Sequence, residues 1–165
     1  MRNQLAILTV GFLLVLIQPK ESFAAQIWQA PVAHPQLINQ FLQPSSDYSA
    51  RHRGVDYLVT QGQSVFAPSD GIVRFAGRVV NRGVLTIQHT GSLLTSFEPL
   101  CPLAPSGSQV KAGQLIGRVC DESAYVNHCG VRTCLHFSLR TAAGYLSPLV
   151  TIGGLSPSRL LPAKP

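Results

Sequence analysis

The chain has little charge, and most of that charge is positive. Only 12% of its 165 residues are charged, with 7 acidic residues against 13 lysines and arginines. The arginines are scattered, and no aromatic residues alternate with them, which argues against a nucleic-acid-binding surface. The net charge of +6 is better suited to attraction toward an anionic extracellular polymer, such as a cell wall.

The apolar run of the N-terminal region is short for a membrane-spanning segment. The uncharged run at residues 5–17 has 13 residues, whereas a helix needs roughly 20 to cross a bilayer. Arg2 precedes this run, and Ser22 and Ala24 are small residues at the positions that a signal peptidase reads. We therefore predict a cleaved signal peptide at residues 1–24, rather than an uncleaved anchor. The protein is then expected to be secreted or held in the cell envelope.

Helical periodicity is absent as well, since no stretch of ten or more residues shows it convincingly. Short β-type runs alternate with turns such as Asp70-Gly71 and Ala112-Gly113. This pattern predicts an all-β fold, a small antiparallel sheet or sandwich, in a domain at residues 51–150. An irregular lead-in is expected at residues 25–50 and a Pro-rich tail at 151–165. The strands are expected at residues 55–59, 72–75, 84–88, 93–97, 114–119 and 135–139.

Four cysteines follow the predicted signal peptide, and their number is even. An exported protein meets oxidising conditions, so two disulfides are expected. The sequence leaves all three pairings open, and we favour Cys101–Cys120 with Cys129–Cys134. The alternative, one metal held by four thiolates, needs closely spaced cysteine pairs, and only one loose pair is present.

Two short motifs contain histidines with possible metal ligands nearby. His52 and Asp56 stand four residues apart, and Gly54 between them could let the backbone bend so that both side chains converge. In the predicted strand at 135–139, alternate residues share a face, so Cys134 and His136 lie together, opposite an apolar face. Taken alone, each motif is weak. A solvated loop histidine with a nearby turn aspartate explains the first motif better than a metal site does, and an incidental strand histidine explains the second equally well.

Together, these fragments resemble the two zinc signatures of the lysostaphin-like (LytM-type) metallopeptidases. The first is His52-x-Gly54-x-Asp56, and the second is Leu135-His136-Phe137. The intervening blocks resemble the family in the same order, over about residues 51–148. They are the segments 62–73, 83–89, 95–100 and 110–117.

The resemblance implies a fold, a cofactor and a substrate. It implies a zinc ion (Zn²⁺) held by His52, Asp56 and His136, with one position open for water, and hydrolysis of peptidoglycan cross-link peptides. In the family, two further histidines handle protons, but here Pro99 and Cys134 stand in their places. A proline cannot transfer a proton, and a cysteine cannot do so while it is tied in a disulfide. We therefore expect an exported zinc-binding domain with weak or no catalysis.

Several alternatives remain open for the site. His128 is the candidate replacement base, because a Cys129–Cys134 disulfide would hold its loop near the cleft, and the domain would then be an active metalloendopeptidase. Glu98 is a weaker candidate for the same role. Cys134 could instead be a fourth ligand that closes the zinc into a structural site.

The sequence is also compatible with functions other than catalysis. The domain could bind wall peptides without cleaving them, or regulate a partner wall hydrolase. A lipoyl- or biotinyl-type carrier is disfavoured, because Lys111 is the only lysine in the expected domain and lies outside the segment that a carrier would modify.

Overall fold

The computed structural model describes residues 28–46, 49–121 and 128–154. The predicted signal peptide lies outside these residues, as does the predicted tail from residue 155 onward, so both stay predictions. No helix within the described residues is long and apolar enough to cross a membrane.

The described residues form an antiparallel all-β structure, as predicted. Two single-turn 3₁₀ helices, Thr90–Ser92 and Pro148–Val150, are the helical elements of this part of the chain. In chain order, the strands are β1 (Leu37–Asn39), β2 (Gly54–Leu58), β3 (Ser64–Phe66), β4 (Gly71–Val79), β5 (Arg82–Gln88), β6 (Leu94–Glu98), β7 (Leu100–Pro102), β8 (Gln109–Val110), β9 (Leu115–Val119), β10 (Cys134–Thr141) and β11 (Gly144–Leu146).

These strands make two sheets. The larger sheet has the order β1-β2-β10-β6-β5-β4-β8, and β11 pairs with β10 outside this path. The smaller sheet has the order β3-β9-β7. Strand β10 is therefore central, with β2 on one side and β6 on the other, and this arrangement positions the candidate site.

The core is built from the apolar face of the larger sheet. On β10, Leu135, Phe137 and Leu139 are buried, while Arg140 is exposed. The ring of Phe137 stacks on Phe97 of β6, with centroids 5.2 Å apart. Full burial of such a side chain stabilises the fold by about 1.5–3 kcal/mol. A slip of one residue would turn these side chains to solvent, so the burial pattern fixes the register of β10.

The six predicted strands are all present, with bounds that differ by a few residues. Strands β4 and β10 are longer than predicted, because pairing with neighbouring strands continues them beyond the apolar runs. The short strands β1, β3, β7, β8 and β11 were not predicted, since two or three residues carry no measurable alternation. Strand β1 lies in the segment expected to be irregular, where pairing with β2 orders it.

Both favoured disulfides are present, and the described residues contain no free cysteine. Cys101–Cys120 joins β7 to the end of β9, with the Cα atoms 5.1 Å apart. Cys129–Cys134 joins the loop before β10 to the first residue of that strand, with the Cα atoms 6.3 Å apart. The second disulfide therefore restrains the loop that carries His128.

Candidate metal centre

Strand pairing brings the predicted ligands together. His136 of β10 lies directly opposite Asp56 of β2 in the antiparallel register. Gly54 does not serve as the predicted bend, because its backbone is ordinary strand within β2. It provides space instead, since a Cβ at this position would lie 2.7 Å from Nε2 of His136. A side chain at residue 54 would displace the imidazole from the cluster.

Three potential ligand atoms converge at this point. Nδ1 of His136 is 2.8 Å from Oδ1 of Asp56, and Nε2 of His52 is 3.1 Å from the same oxygen. The two imidazole nitrogens are 3.2 Å apart. In a tetrahedral zinc site with bonds of about 2.0–2.2 Å, neighbouring ligand atoms stand about 3.3 Å apart. The triangle formed by the three side chains therefore has nearly the size that zinc requires.

Strand β1 and the residue that follows it supply two supporting contacts that the sequence did not suggest. Nδ2 of Asn39 donates a hydrogen bond to Oδ2 of Asp56 at 2.8 Å. Nδ1 of His52 lies 2.7 Å from the backbone oxygen of Gln40, so Nδ1–H is the donor, and it is Nε2 that carries the lone pair when this imidazole is neutral. Contacts of this kind orient metal ligands in proteins. The sequence could not predict these contacts, because a strand of three residues such as β1 shows no recognisable alternation.

The electrostatics of the cluster favour an ionised Asp56. This carboxylate is fully buried, which by itself opposes ionisation, but hydrogen bonds from His128, His136, His52 and Asn39 outweigh burial and hold its pKa well below its ordinary range. The hydrogen bond with Asp56 raises the pKa of His52, against the opposing effect of burial. A metal ion binds the neutral imidazole, so protons compete with it at this site.

His128 joins the cluster from the disulfide-linked loop. Its Nε2 is 2.9 Å from Oδ2 of Asp56, and its ring centroid is 5.7 Å from that of His136. The potential ligand atoms of His52, Asp56, His128 and His136 all lie within 4.8 Å of one another. The loop thus places His128 beside the three predicted ligands.

The remaining candidates are occupied by other interactions. Cys134 is fully buried and bonded to Cys129, so its sulfur is not a free thiolate for a fourth ligand. Glu98 lies opposite His136 on β6, but its carboxylate accepts a hydrogen bond from Nε of Arg82 at 2.8 Å. Pro99 follows Glu98 at the end of β6 and offers no side-chain proton.

The cluster opens into a groove of about 840 Å³. The floor is the polar face of β5, β6 and β10, which includes Thr86, Ser96 and Ser138. His52, His128 and His136 line the same groove, whereas Asp56 lies beneath them. A ligand in the groove would therefore reach the exposed side of the cluster.

Comparison with known proteins identifies the family. The model of peptidase family M23 matches residues 50–148, so the chain belongs to this family. An uncharacterised protein of Mycobacterium tuberculosis is 33% identical over 132 residues, which cover 78% of this chain and 51% of that protein. The DD-carboxypeptidase/endopeptidase Mpg of Neisseria meningitidis is 33% identical over 69 residues, 41% of this chain and 16% of Mpg. The chain spans about half the length, or less, of these curated relatives.

The fold is that of lysostaphin. The solution structure of lysostaphin superposes with a TM-score of 0.61 at 16% identity, over 84% of this chain and 62% of that one. At this identity the likeness concerns the fold. The resemblance to lysostaphin-like metallopeptidases predicted from the sequence is thus confirmed, and membership of the family suggests a metal cofactor.

Proposed function

We propose that the chain is a zinc-binding domain directed at peptidoglycan peptides, exported to the cell envelope or beyond it, with slow or absent hydrolysis. The observation that supports it most is the triangle of His52, Asp56 and His136, whose ligand atoms lie 2.8–3.2 Å apart. Family M23 and the relative Mpg, whose name describes carboxypeptidase and endopeptidase activity, support the choice of substrate.

The donor set fits zinc. Two imidazole nitrogens and one carboxylate oxygen are common zinc ligands, and three protein ligands leave a fourth position open. In such a site zinc activates water and polarises a carbonyl group. Asp56 supplies the negative charge, and the backbone oxygen of Gln40 holds His52 in the tautomer that presents Nε2. We therefore assign these three side chains as the ligands.

Slow or absent hydrolysis follows from what stands beside the ligands. A general acid or base contributes about 10²- to 10⁴-fold in rate, and an oxyanion donor about 10²- to 10³-fold. Pro99 and the disulfide-bonded Cys134 replace the two histidines that the family uses for these tasks. A metal-binding domain with both groups missing is expected to lose several orders of magnitude in rate.

A second candidate function is an active metalloendopeptidase with His128 as the relocated base. The observation in its favour is the position of His128, whose Nε2 is 2.9 Å from Oδ2 of Asp56 and whose side chain is 41% exposed to the groove side. An exposed imidazole beside the ligands can exchange protons with solvent and reach a bound peptide. On this account, the Cys129–Cys134 disulfide is a positioning device for the base.

One experiment separates the two functions. Purified wall and defined cross-link peptides are digested with the wild type, with His128→Ala, and with a Pro99→His/Cys134→His double variant, each with its zinc content measured. We expect little cleavage by the wild type at one zinc per chain. Efficient cleavage by the wild type that His128→Ala abolishes, with zinc retained, would contradict this and identify His128 as the base.

The Pro99→His/Cys134→His double variant is informative when it gains cleavage. If it gains cleavage, the domain is a peptidase disabled at two positions. Its control is Cys129→Ser/Cys134→Ser, which also removes the disulfide but adds no imidazole. A gain in both double variants would mean that the loop, rather than the missing histidines, limits the wild type.

A further inference from the structure

Arginine is concentrated in the groove that contains the candidate metal centre. Four of the nine lysine and arginine side chains in the described residues line it: Arg51, Arg53, Arg82 and Arg140. Glu98 is the one carboxylate that lines the groove beside them, within the described part of the chain. The groove is therefore positively charged before any metal binds.

The four arginines differ in the interactions that their guanidinium groups make. Arg82 pairs with Glu98 at 2.8 Å, and the guanidinium of Arg53 lies 5.6 Å above the ring of Tyr145. Arg51 and Arg140 are exposed, and neither forms an ion pair with a described residue. A guanidinium presents paired N–H donors that match a carboxylate in a bidentate fashion. Arg51 and Arg140 are thus the side chains with donors to offer a ligand.

Arg140 has a defined place relative to the metal centre. It follows His136 by four residues on β10 and lies on the same face, because alternate residues of a strand share a face. At about 3.4 Å per residue, the two Cα atoms are about 13 Å apart. Ser138 lies between them, opposite Ser96, whose hydroxyl is 2.8 Å from that of Thr86. The floor between the centre and Arg140 is polar and uncharged.

We propose that this groove selects an acidic peptide, in which a carboxylate about four extended residues from the metal centre binds Arg140. Arg51, beside the ligand His52, attracts a second acidic group close to the centre. The proposal rests on the proposed function for the location of the ligand and adds its chemical class. A neutral, glycine-rich peptide has no group for either arginine.

The test measures binding rather than cleavage. Fluorescein-labelled Gly-Glu-Gly-Gly-Gly-Glu-Gly, whose two glutamates are four residues apart, and its glutamine counterpart are titrated with the purified mature protein, and fluorescence anisotropy reports the affinity. We expect the glutamate peptide to bind more tightly and Arg140→Gln to weaken it about tenfold, because a hydrogen bond to a charged group contributes about that much. Added salt should reduce the difference between the two peptides.

A matched control removes the same charge elsewhere. Arg118 lies on β9 of the smaller sheet, outside the groove, and donates to the backbone oxygen of Gly62. Arg118→Gln should leave the affinity for the glutamate peptide unchanged. Equal binding of the two peptides, or an equal loss with Arg118→Gln and Arg140→Gln, would overturn the proposal and leave only a generally basic surface.

A wrong assignment of the metal ligands would give different results from a wrong acidic-peptide proposal. The Cα atom of Arg140 is about 13 Å from that of His136, so His136→Ala should keep the preference for the glutamate peptide. If His136→Ala retains full zinc while Arg140→Gln still weakens peptide binding, the ligand assignment is wrong and the acidic-peptide proposal stands. If zinc is lost as expected but the two peptides bind alike, only the acidic-peptide proposal fails.

Discussion

Two regions of the larger sheet hold histidine in opposite ways. At the candidate metal centre, His52 and His136 converge on the buried carboxylate of Asp56 at the edge of a groove. Directly after β5, His89 is itself buried, with Nδ1 2.8 Å from the backbone oxygen of Asp70 and Nε2 2.8 Å from Oγ1 of Thr95. Both of its nitrogens are therefore satisfied by neutral protein groups.

The difference shows that the partners of a histidine, more than its burial, indicate its role. Asp56 raises the pKa of His52, whereas burial lowers the pKa of His89. The ring of His89 packs against Trp28 at 4.4 Å between centroids, so it joins the N-terminal segment to the sheet. On the proposed function, the first region binds a cation, whereas the second keeps a neutral ring in place.

The largest expected effect comes from exchanging a ligand. His136→Gln should lower zinc affinity by more than about 100-fold, since even changes to residues that only support ligands cost about 10- to 100-fold. The control is His89→Gln, which removes a histidine from the other region and should leave one zinc per chain. Competition with a colorimetric chelator measures both. Equal affinity in the two variants would remove the distinction between the regions.

An intermediate effect is expected at the support for Asp56. Asn39→Ala removes the amide that donates to Oδ2 of Asp56 and should weaken zinc binding by about 10- to 100-fold. Asn81→Ala, in the exposed turn between β4 and β5, is the matched control and should have no effect. A normal affinity in Asn39→Ala would mean that β1 contributes nothing to the centre.

The smallest effect concerns the pH dependence of stability. Because the pKa of His89 is lowered in the folded state, the unfolded chain takes up its proton first as pH falls below about 6.5, and folding stability is lost there. A glutamine cannot titrate, so the wild type should exceed His89→Gln in unfolding free energy by more at pH 7.5 than at pH 5.5. Urea unfolding of the metal-free proteins at the two pH values gives this difference. A gap that does not change with pH would show that His89 is not held neutral.

Part of the site could be predicted from local patterns. Alternation on β10 placed Cys134 and His136 on the polar face. The choice of His52, Asp56 and His136 as ligands came from the resemblance to the lysostaphin-like metallopeptidases, and it stays a prediction. The antiparallel register between β2 and β10 then joins the two motifs, and a register of this kind follows from which faces are apolar.

The supporting residues could not be predicted in the same way. Asn39 and Gln40 belong to or adjoin a three-residue strand that is ordered by pairing with β2, and such pairing leaves no signal in a Pro- and Gln-rich segment. The position of His128 depends on the Cys129–Cys134 disulfide. Predicting that position therefore requires the correct choice among the three possible disulfide pairings. The place of Arg140 beyond Ser138 did have a signal, the alternation of β10, but the predicted strand ended at residue 139.

Anomalous diffraction at the zinc edge from crystals of the purified mature protein tests the ligand assignment most directly. We expect a single anomalous peak about 2.0–2.2 Å from Nε2 of His52, Oδ1 of Asp56 and Nδ1 of His136. A peak centred on other side chains, or no peak in crystals grown with excess zinc, would contradict it.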